Sequence, residues 1–155
     1  MILTKCKETL NRLQGKRLAT AESLTGGGIG AAITGVSGAS RVYAGGIISY
    51  TNEVKHRLLG VPVELLEGLG AVSGPVAKAM AQGARTALQA DVAVSVTGLA
   101  GPDGDEFGHP VGTVFIGYAD GENSLFREYH FNGDREAVRN QTILAALELV
   151  LEYNQ

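Results

Sequence analysis

Arg17–Gly30, RLATAESLTGGGIG, runs from a short hydrophobic segment through a carboxylate and a hydroxyl into three consecutive glycines. Arg17–Ala21 reads as a strand and Gly27–Thr34 as the helix that follows it. Glycine loses more conformational entropy on folding than any other residue and packs nothing. A glycine cluster at a helix start therefore marks either a close contact between elements or a bound ligand. Strand, polar turn and helix make the first half of a βα unit, and the flanking sequence extends the pattern.

Upstream, Thr4–Leu13 carries Cys6, Leu10 and Leu13 at helical spacing and ends before Gly15. Downstream, Val42–Tyr50, VYAGGIISY, is strand-like, and its glycine pair predicts a bulge or a close backbone approach. Asn52 is a suitable N-cap for a helix over Glu53–Leu59. Pro62–Gly68 reads as a short helix, and Ser73 opens a longer one, Pro75–Ala90. Asp91–Thr97 is an apolar strand, followed by a glycine- and proline-rich loop over Gly98–Pro110. Gly112–Ala119 and Leu125–Phe131 are strands joined around Asp120-Gly121, a hairpin signal. Asp134 caps a last helix running to about Tyr153, with Val138, Thr142, Ala145 and Leu149 on one face. The expectation is a single domain over residues 1–155, a three-layer α/β/α fold with a mixed sheet.

Composition narrows the function. With 45% hydrophobic and 19% charged residues the chain is globular rather than disordered. Glycine is the outlier, 22 of 155 residues, about twice the usual ~7%. A net charge of −3 gives no electrostatic reason to expect nucleic acid. No apolar run reaches the ~20 residues of a membrane span, and MILTKCKETL has no signal-peptide pattern. The single cysteine excludes a disulfide framework. A reduced, cytoplasmic protein is expected. The Val-, Ile- and Ala-rich helix faces would support a homodimer.

In open α/β sheets, ligands bind outside the carboxyl ends of the strands. Three polar loops fall there: Glu22–Gly28, Tyr50–Lys55 and Thr97–Pro102. Their coincidence argues for one composite site. Gly26-x-Gly28-x-x-Ala31 is a weak dinucleotide fingerprint, because four residues separate it from the strand end. No phosphate-binding GxxxxGK[ST] loop is present. Lys55 lies in the first turn of its helix, where the dipole disfavours a cation. Burial would lower its pKa further, and a neutral lysine is what a serine nucleophile needs when no histidine base is at hand. A solvated surface lysine is the simpler alternative. His56, His109 and His130 are scattered and offer no triad. Asp103, Asp105, Glu106 and His109 share a loop, but their spacing matches no metal pattern, so a mobile acidic loop is expected and no metal or cofactor. Arg135 and Arg139 stand one turn apart at the start of the last helix. That position suits cations only beside a bound anion such as phosphate, or in pairs with Asp134 or Glu136.

Taken in order, AESLTGG, YTNEVK, GAVS, VTGLAGPDG, HPVGTV and GDREAVR resemble the C-terminal domain of the competence/damage-inducible protein CinA, over about Thr4–Tyr153. Free-standing members of that family are nicotinamide-nucleotide amidases. The resemblance implies hydrolysis of nicotinamide mononucleotide to nicotinate mononucleotide and ammonia, without metal, by a Ser–Lys pair matching Ser23 and Lys55. On that reading the backbone of Thr25, Gly26 and Gly27 receives the oxyanion. Glu22, Tyr50, Asn52, Thr97, Gly98, Arg135 and Arg139 would contact a compact anionic substrate or position Lys55. Two positions depart from the family: Leu24 stands where cysteine is frequent, and His109 where lysine is common. The alternatives are a non-catalytic nucleotide-binding module of the same fold and, more remotely, a dinucleotide-binding oxidoreductase.

Overall fold

Leu18–Glu22 (β1), Tyr43–Ile48 (β2), Val92–Gly98 (β3), Thr113–Ala119 (β4) and Ser124–His130 (β5) form one sheet in the order β2-β1-β3-β4-β5. They are described here from a computed structural model covering Met1–Gln155. β2, β1 and β3 run parallel, so their carboxyl ends share one edge, while β4 and β5 complete the sheet antiparallel. Six helices cover it: Ile2–Arg12 (α1), Gly28–Thr34 (α2), Asn52–Leu59 (α3), Val63–Leu69 (α4), Gly74–Ala87 (α5) and Arg135–Glu152 (α6). α1, α2 and α6 lie on one face and α3, α4 and α5 on the other. The result is the expected three-layer α/β/α domain with a mixed sheet.

The central strands are apolar on both faces because both are covered. Leu18 of β1 and Val92, Val94 and Val96 of β3 enter the core under α1, α2 and α6. Ala19, Ala21 and Ala93 enter the second core, under α5. These small residues let α5 approach closely. Ser95 Oγ donates to the Ala77 carbonyl of α5 at 2.5 Å, and a Cβ on Gly117 would strike that same carbonyl. A Cβ on Gly83 would strike the backbone of Leu59, the last residue of α3. Gly83 therefore sets how closely α3 and α5 pack.

Several boundaries differ from the sequence reading. α1 starts at Ile2 rather than Thr4, and α5 ends at Ala87 rather than Ala90. β2 ends at Ile48, so Ser49 and Tyr50 leave the strand. The expected bulge is present: Leu18 pairs with Tyr43 and Ala19 with Gly45, leaving Ala44 over. Asn52 is not the cap of α3. Thr51 is, its Oγ1 accepting from Val54 N at 3.3 Å, and Asn52 is the first helical residue. Both types cap well, and Thr51 holds the extended backbone that a cap requires. The buried side of α6 is wider than the expected stripe: Ile143, Ala146, Leu147 and Val150 join Val138, Thr142 and Leu149, with Ala145 half-buried at the rim. Asp134 and Ser73 cap α6 and α5 as read. No helix is long and apolar enough to cross a membrane.

Helix propensity alone would make Gly83→Ala stabilising by about 1 kcal/mol. The clash with Leu59 reverses the sign. Urea unfolding should show G83A destabilised by about 1–3 kcal/mol, the usual cost of overpacking. A stabilised variant would refute the close approach of α3 and α5.

Candidate active site

Side chains alternate along β1, and the alternation continues one residue past its end. Glu22 turns toward α2, and Ser23 toward α3. The Glu22 carboxylate, 2% exposed, accepts from Thr25 Oγ1 at 2.5 Å, Ile29 N at 2.8 Å and Gly30 N at 3.0 Å. It thus satisfies amides of the first turn of α2 that have no helical partner, and it meets the positive end of that helix. Between them the chain turns sharply, with Gly26 at φ +57° and Gly27 at φ +100°, values that L side chains rarely adopt.

Lys55 arrives from the first turn of α3, behind the Thr51 cap. It is 1% exposed. Its Nζ lies 2.7 Å from the Ser49 carbonyl, 3.3 Å from the Tyr50 carbonyl and 3.1 Å from Ser23 Oγ. Burial lowers its pKa from 10.5 to about 8, because a desolvated ammonium is disfavoured against the amine. An amine has two N–H donors and one lone pair. As an ammonium Nζ donates to all three oxygens; as an amine its two donors can stay on the carbonyls, and its lone pair then faces Ser23 Oγ. No carboxylate touches this nitrogen, so nothing opposes the shift with a full negative charge.

Ser23 and Lys55 open into a cavity of about 380 Å³ at the carboxyl edge of the parallel strands. Tyr50, Thr97, Gly98 and Arg135 also line it, as do Leu24, the Ala71-Val72 connector and the segment Leu99–Asp103. A larger hollow of about 710 Å³ between α3 and α5 is lined by Leu58, Pro62 and Lys78 among others. It contains no comparable pairing of a hydroxyl with a buried amine, so the smaller cavity is the candidate site.

Not every expected contact reaches that cavity. Glu22 is held on the other face of the sheet, and Asn52 lies on the exposed side of α3 outside the lining. Arg139 is not in the lining either. Its Nε and Nη2 donate to the Leu24 and Thr25 carbonyls, each at 3.0 Å. Arg135 lines the cavity and donates to the Gly101 carbonyl at 2.7 Å. Thr97 Oγ1 donates to the Ala71 carbonyl at 2.8 Å, fixing the opposite wall. Tyr50 is 62% exposed at the mouth. Within the glycine turn, Gly26 N is already bonded to the Ser23 carbonyl at 3.1 Å, whereas the amides of Leu24, Thr25 and Gly27 have no partner.

The acidic loop is tied down rather than loose. Asp105 accepts from the amides of Phe107 and His109 and pairs with His109 Nδ1 at 2.7 Å. Phe107 packs over Gly70. Sequence reasoning missed the carbonyls of Ser49 and Tyr50 and the amide of Leu24. Backbone groups leave no residue-type signal.

A model of the CinA C-terminal domain matches residues 3–154. The chain belongs to the CinA C-terminal domain family. This CinA domain is 46% identical to the nicotinamide-nucleotide amidohydrolase PncC of Pseudomonas putida, over 97% of this chain and 94% of that one. It is 49% identical to a CinA-like protein of Geobacter sulfurreducens over 90% of its length, but spans only 34% of that relative. Among solved structures, the competence/damage inducible protein CihA of Agrobacterium tumefaciens superposes with a TM-score of 0.96 at 37% identity, covering 99% and 96% of the two chains. A CinA-superfamily protein of Escherichia coli gives 0.96 at 34% identity, with 99% and 90% covered.

The lowered Lys55 pKa has a thermodynamic signature. Between about 8 and 10.5 the unfolded chain holds a proton at Lys55 that the folded protein has released. Stability therefore rises with pH across that window, and below it the folded state carries the full cost, about 3 kcal/mol. Lys55→Met removes the titrating group and leaves the others. Denaturant unfolding at pH 7 and pH 10.5 should show the wild type gaining about 3 kcal/mol relative to K55M. A difference independent of pH would mean that Lys55 titrates normally in the folded protein.

Proposed function

We propose that this protein hydrolyses the carboxamide of nicotinamide mononucleotide, giving nicotinate mononucleotide and ammonia, with Ser23 as nucleophile and Lys55 as general base. The observation that carries the reading is the buried Lys55 amine 3.1 Å from Ser23 Oγ, its charge disfavoured by burial. Kinship with a relative named nicotinamide-nucleotide amidohydrolase supports the substrate.

In the first half-reaction Ser23 Oγ bonds to the carboxamide carbon and its proton passes to Lys55 Nζ. The carbonyl oxygen becomes an oxyanion facing the unpaired amides of the turn after β1. The C–N bond then breaks, and Lys55 returns its proton to the departing nitrogen, which leaves as ammonia. Water enters and gives its proton to Lys55. It attacks the acyl carbon, and Ser23 departs with the proton from Lys55, releasing the carboxylic acid, which loses its remaining proton to solvent. Only water is consumed.

The remaining lining suits a compact anion. Arg135 uses one nitrogen on Gly101 and keeps other donors for a phosphate. Thr97 and Gly98 sit where a ribose or phosphate would rest, and the Tyr50 ring flanks the entrance. Glu22 is not available as a base that activates water, since its oxygens are engaged on α2.

Incubation of micromolar enzyme with nicotinamide mononucleotide should release ammonia and the acid in equal amounts. Lys55→Arg, which keeps the charge but cannot lose a proton near neutral pH, should fall at least about 100-fold in kcat, the lower range for losing a general base. Ser23→Ala should match it, and the double variant should be little worse than either, because the pair acts as a unit. Tight mononucleotide binding by calorimetry with no ammonia formed would instead favour a non-catalytic binding module. Substantial turnover by K55R would remove Lys55 as the base.

A further inference from the structure

Arg139 reaches from the second turn of α6 to the turn that follows β1, 114 and 115 positions away in the chain. Its position in the first turns of a helix is unfavourable for a cation, and no carboxylate compensates it. What it binds is backbone: Nε on the Leu24 carbonyl and Nη2 on the Thr25 carbonyl, both at 3.0 Å. The Leu24 carbonyl and the Thr25 N–H belong to one trans peptide and point in opposite directions. Holding the carbonyl toward α6 turns the amide away from that layer, to the side where Ser23 faces Lys55. Thr25 is 1% exposed, yet this amide has no hydrogen-bond partner. Orphaned amides in buried segments are rare and costly, and one next to a nucleophile has an evident use.

We propose that Arg139 is a positioning residue that aims and polarises the Thr25 amide to receive the oxyanion formed when Ser23 attacks a carboxamide carbon. The inference rests on the Ser23–Lys55 reading above. The guanidinium charge draws electron density toward the Leu24 oxygen, which makes the N–H of the same peptide a stronger donor. The turn is pinned from the opposite side by the bond from the Thr25 hydroxyl to Glu22, so the peptide has no freedom to rotate. Arg139 thereby acts on the reaction without touching substrate. The anion-binding role belongs to Arg135, which does line the cavity.

The test uses Arg139→Gln and Arg139→Lys in the full chain. Each is assayed with nicotinamide mononucleotide and, separately, with a fluorophosphonate. That reagent forms an O–P bond with a nucleophilic serine, expels fluoride and passes the serine proton to Lys55, leaving a phosphoryl oxygen where the oxyanion would lie. In R139Q, kcat should fall about 10- to 100-fold, somewhat less than the loss of a whole oxyanion donor. KM should stay within about twofold, the pattern of an interaction made only in the transition state. Phosphonylation of Ser23 should slow by a similar factor, and R139K should fall between R139Q and wild type. Thermal melting identifies the temperature range in which each variant is folded, and R139K decides by the same measures if R139Q does not fold. A purely structural Arg139 would lower the melting transition while leaving phosphonylation below it unchanged, which would overturn the inference alone. A raised KM with unchanged kcat would also overturn it, making Arg139 a substrate contact. A wild-type Ser23 that takes no phosphonate would overturn the nucleophile assignment and this inference with it.

Discussion

Burying a lysine amine is the constraint around which the rest of the site is arranged. Three neighbours meet Lys55 Nζ, two carbonyls and one hydroxyl, and they pull in opposite directions from the loss of solvent. Carbonyl dipoles favour the ammonium, whereas removal from water favours the amine. The pKa of about 8 means that desolvation prevails, by a margin worth about 3 kcal/mol. For Lys55 in its proposed role as a base, that margin is useful because it is limited. A fully suppressed pKa would give an amine too weak to take a proton from serine, and an ordinary one would leave almost no free base at neutral pH. Supplying carbonyls rather than a carboxylate achieves the intermediate value. They satisfy the N–H donors in either protonation state without adding a full negative charge.

That balance requires the nearest carboxylate to be kept away, and β1 does this by geometry. Glu22 and Ser23 are consecutive, so strand alternation sends them to opposite faces of the sheet. On its own face Glu22 would be a costly buried charge, but it meets Thr25 and two amides at the start of α2. The same bonds hold the start of α2 and, through Thr25, the glycine turn. One carboxylate thus organises the turn that carries Ser23 while staying on the opposite face of the sheet from Lys55.

Much of this is readable in the sequence because it is local. The strand–turn–helix at Arg17–Gly30, the βα order and the gathering of three polar loops at one sheet edge follow from periodicity and a general rule about parallel sheets. The bulge at Ala44 was signalled by the adjacent glycines. What could not be read were choices between neighbours of equal chemistry and pairings made at a distance. Thr51 and Asn52 are both good caps, and only the path of the chain after Ile48 decides between them. Gly26 looked as available as Gly27 for receiving an anion, but its amide closes the turn on Ser23 O. Arg139 looked like a ligand for phosphate because its partners, two carbonyls more than a hundred residues earlier, carry no mark in their residue type.

The two arginines of α6 make the final connection. They stand one turn apart, so they leave the same side of the helix, yet they hold two different segments that border the cavity. Arg139 holds the turn that carries Ser23, and Arg135 holds the Gly101 carbonyl of the loop after β3. Two cations near a helix N-terminus oppose the dipole at roughly 0.3–1 kcal/mol each. Three charge-assisted bonds to carbonyls, at about 1.5–3 kcal/mol apiece, outweigh that. Asp134, capping the same helix end through Ala137 N, offsets the charge further. The helix N-terminus therefore needs no bound anion to tolerate its arginines. Because one helix holds both the turn that carries Ser23 and the loop at Gly101, the separation of these two segments is set by α6 rather than by either loop alone.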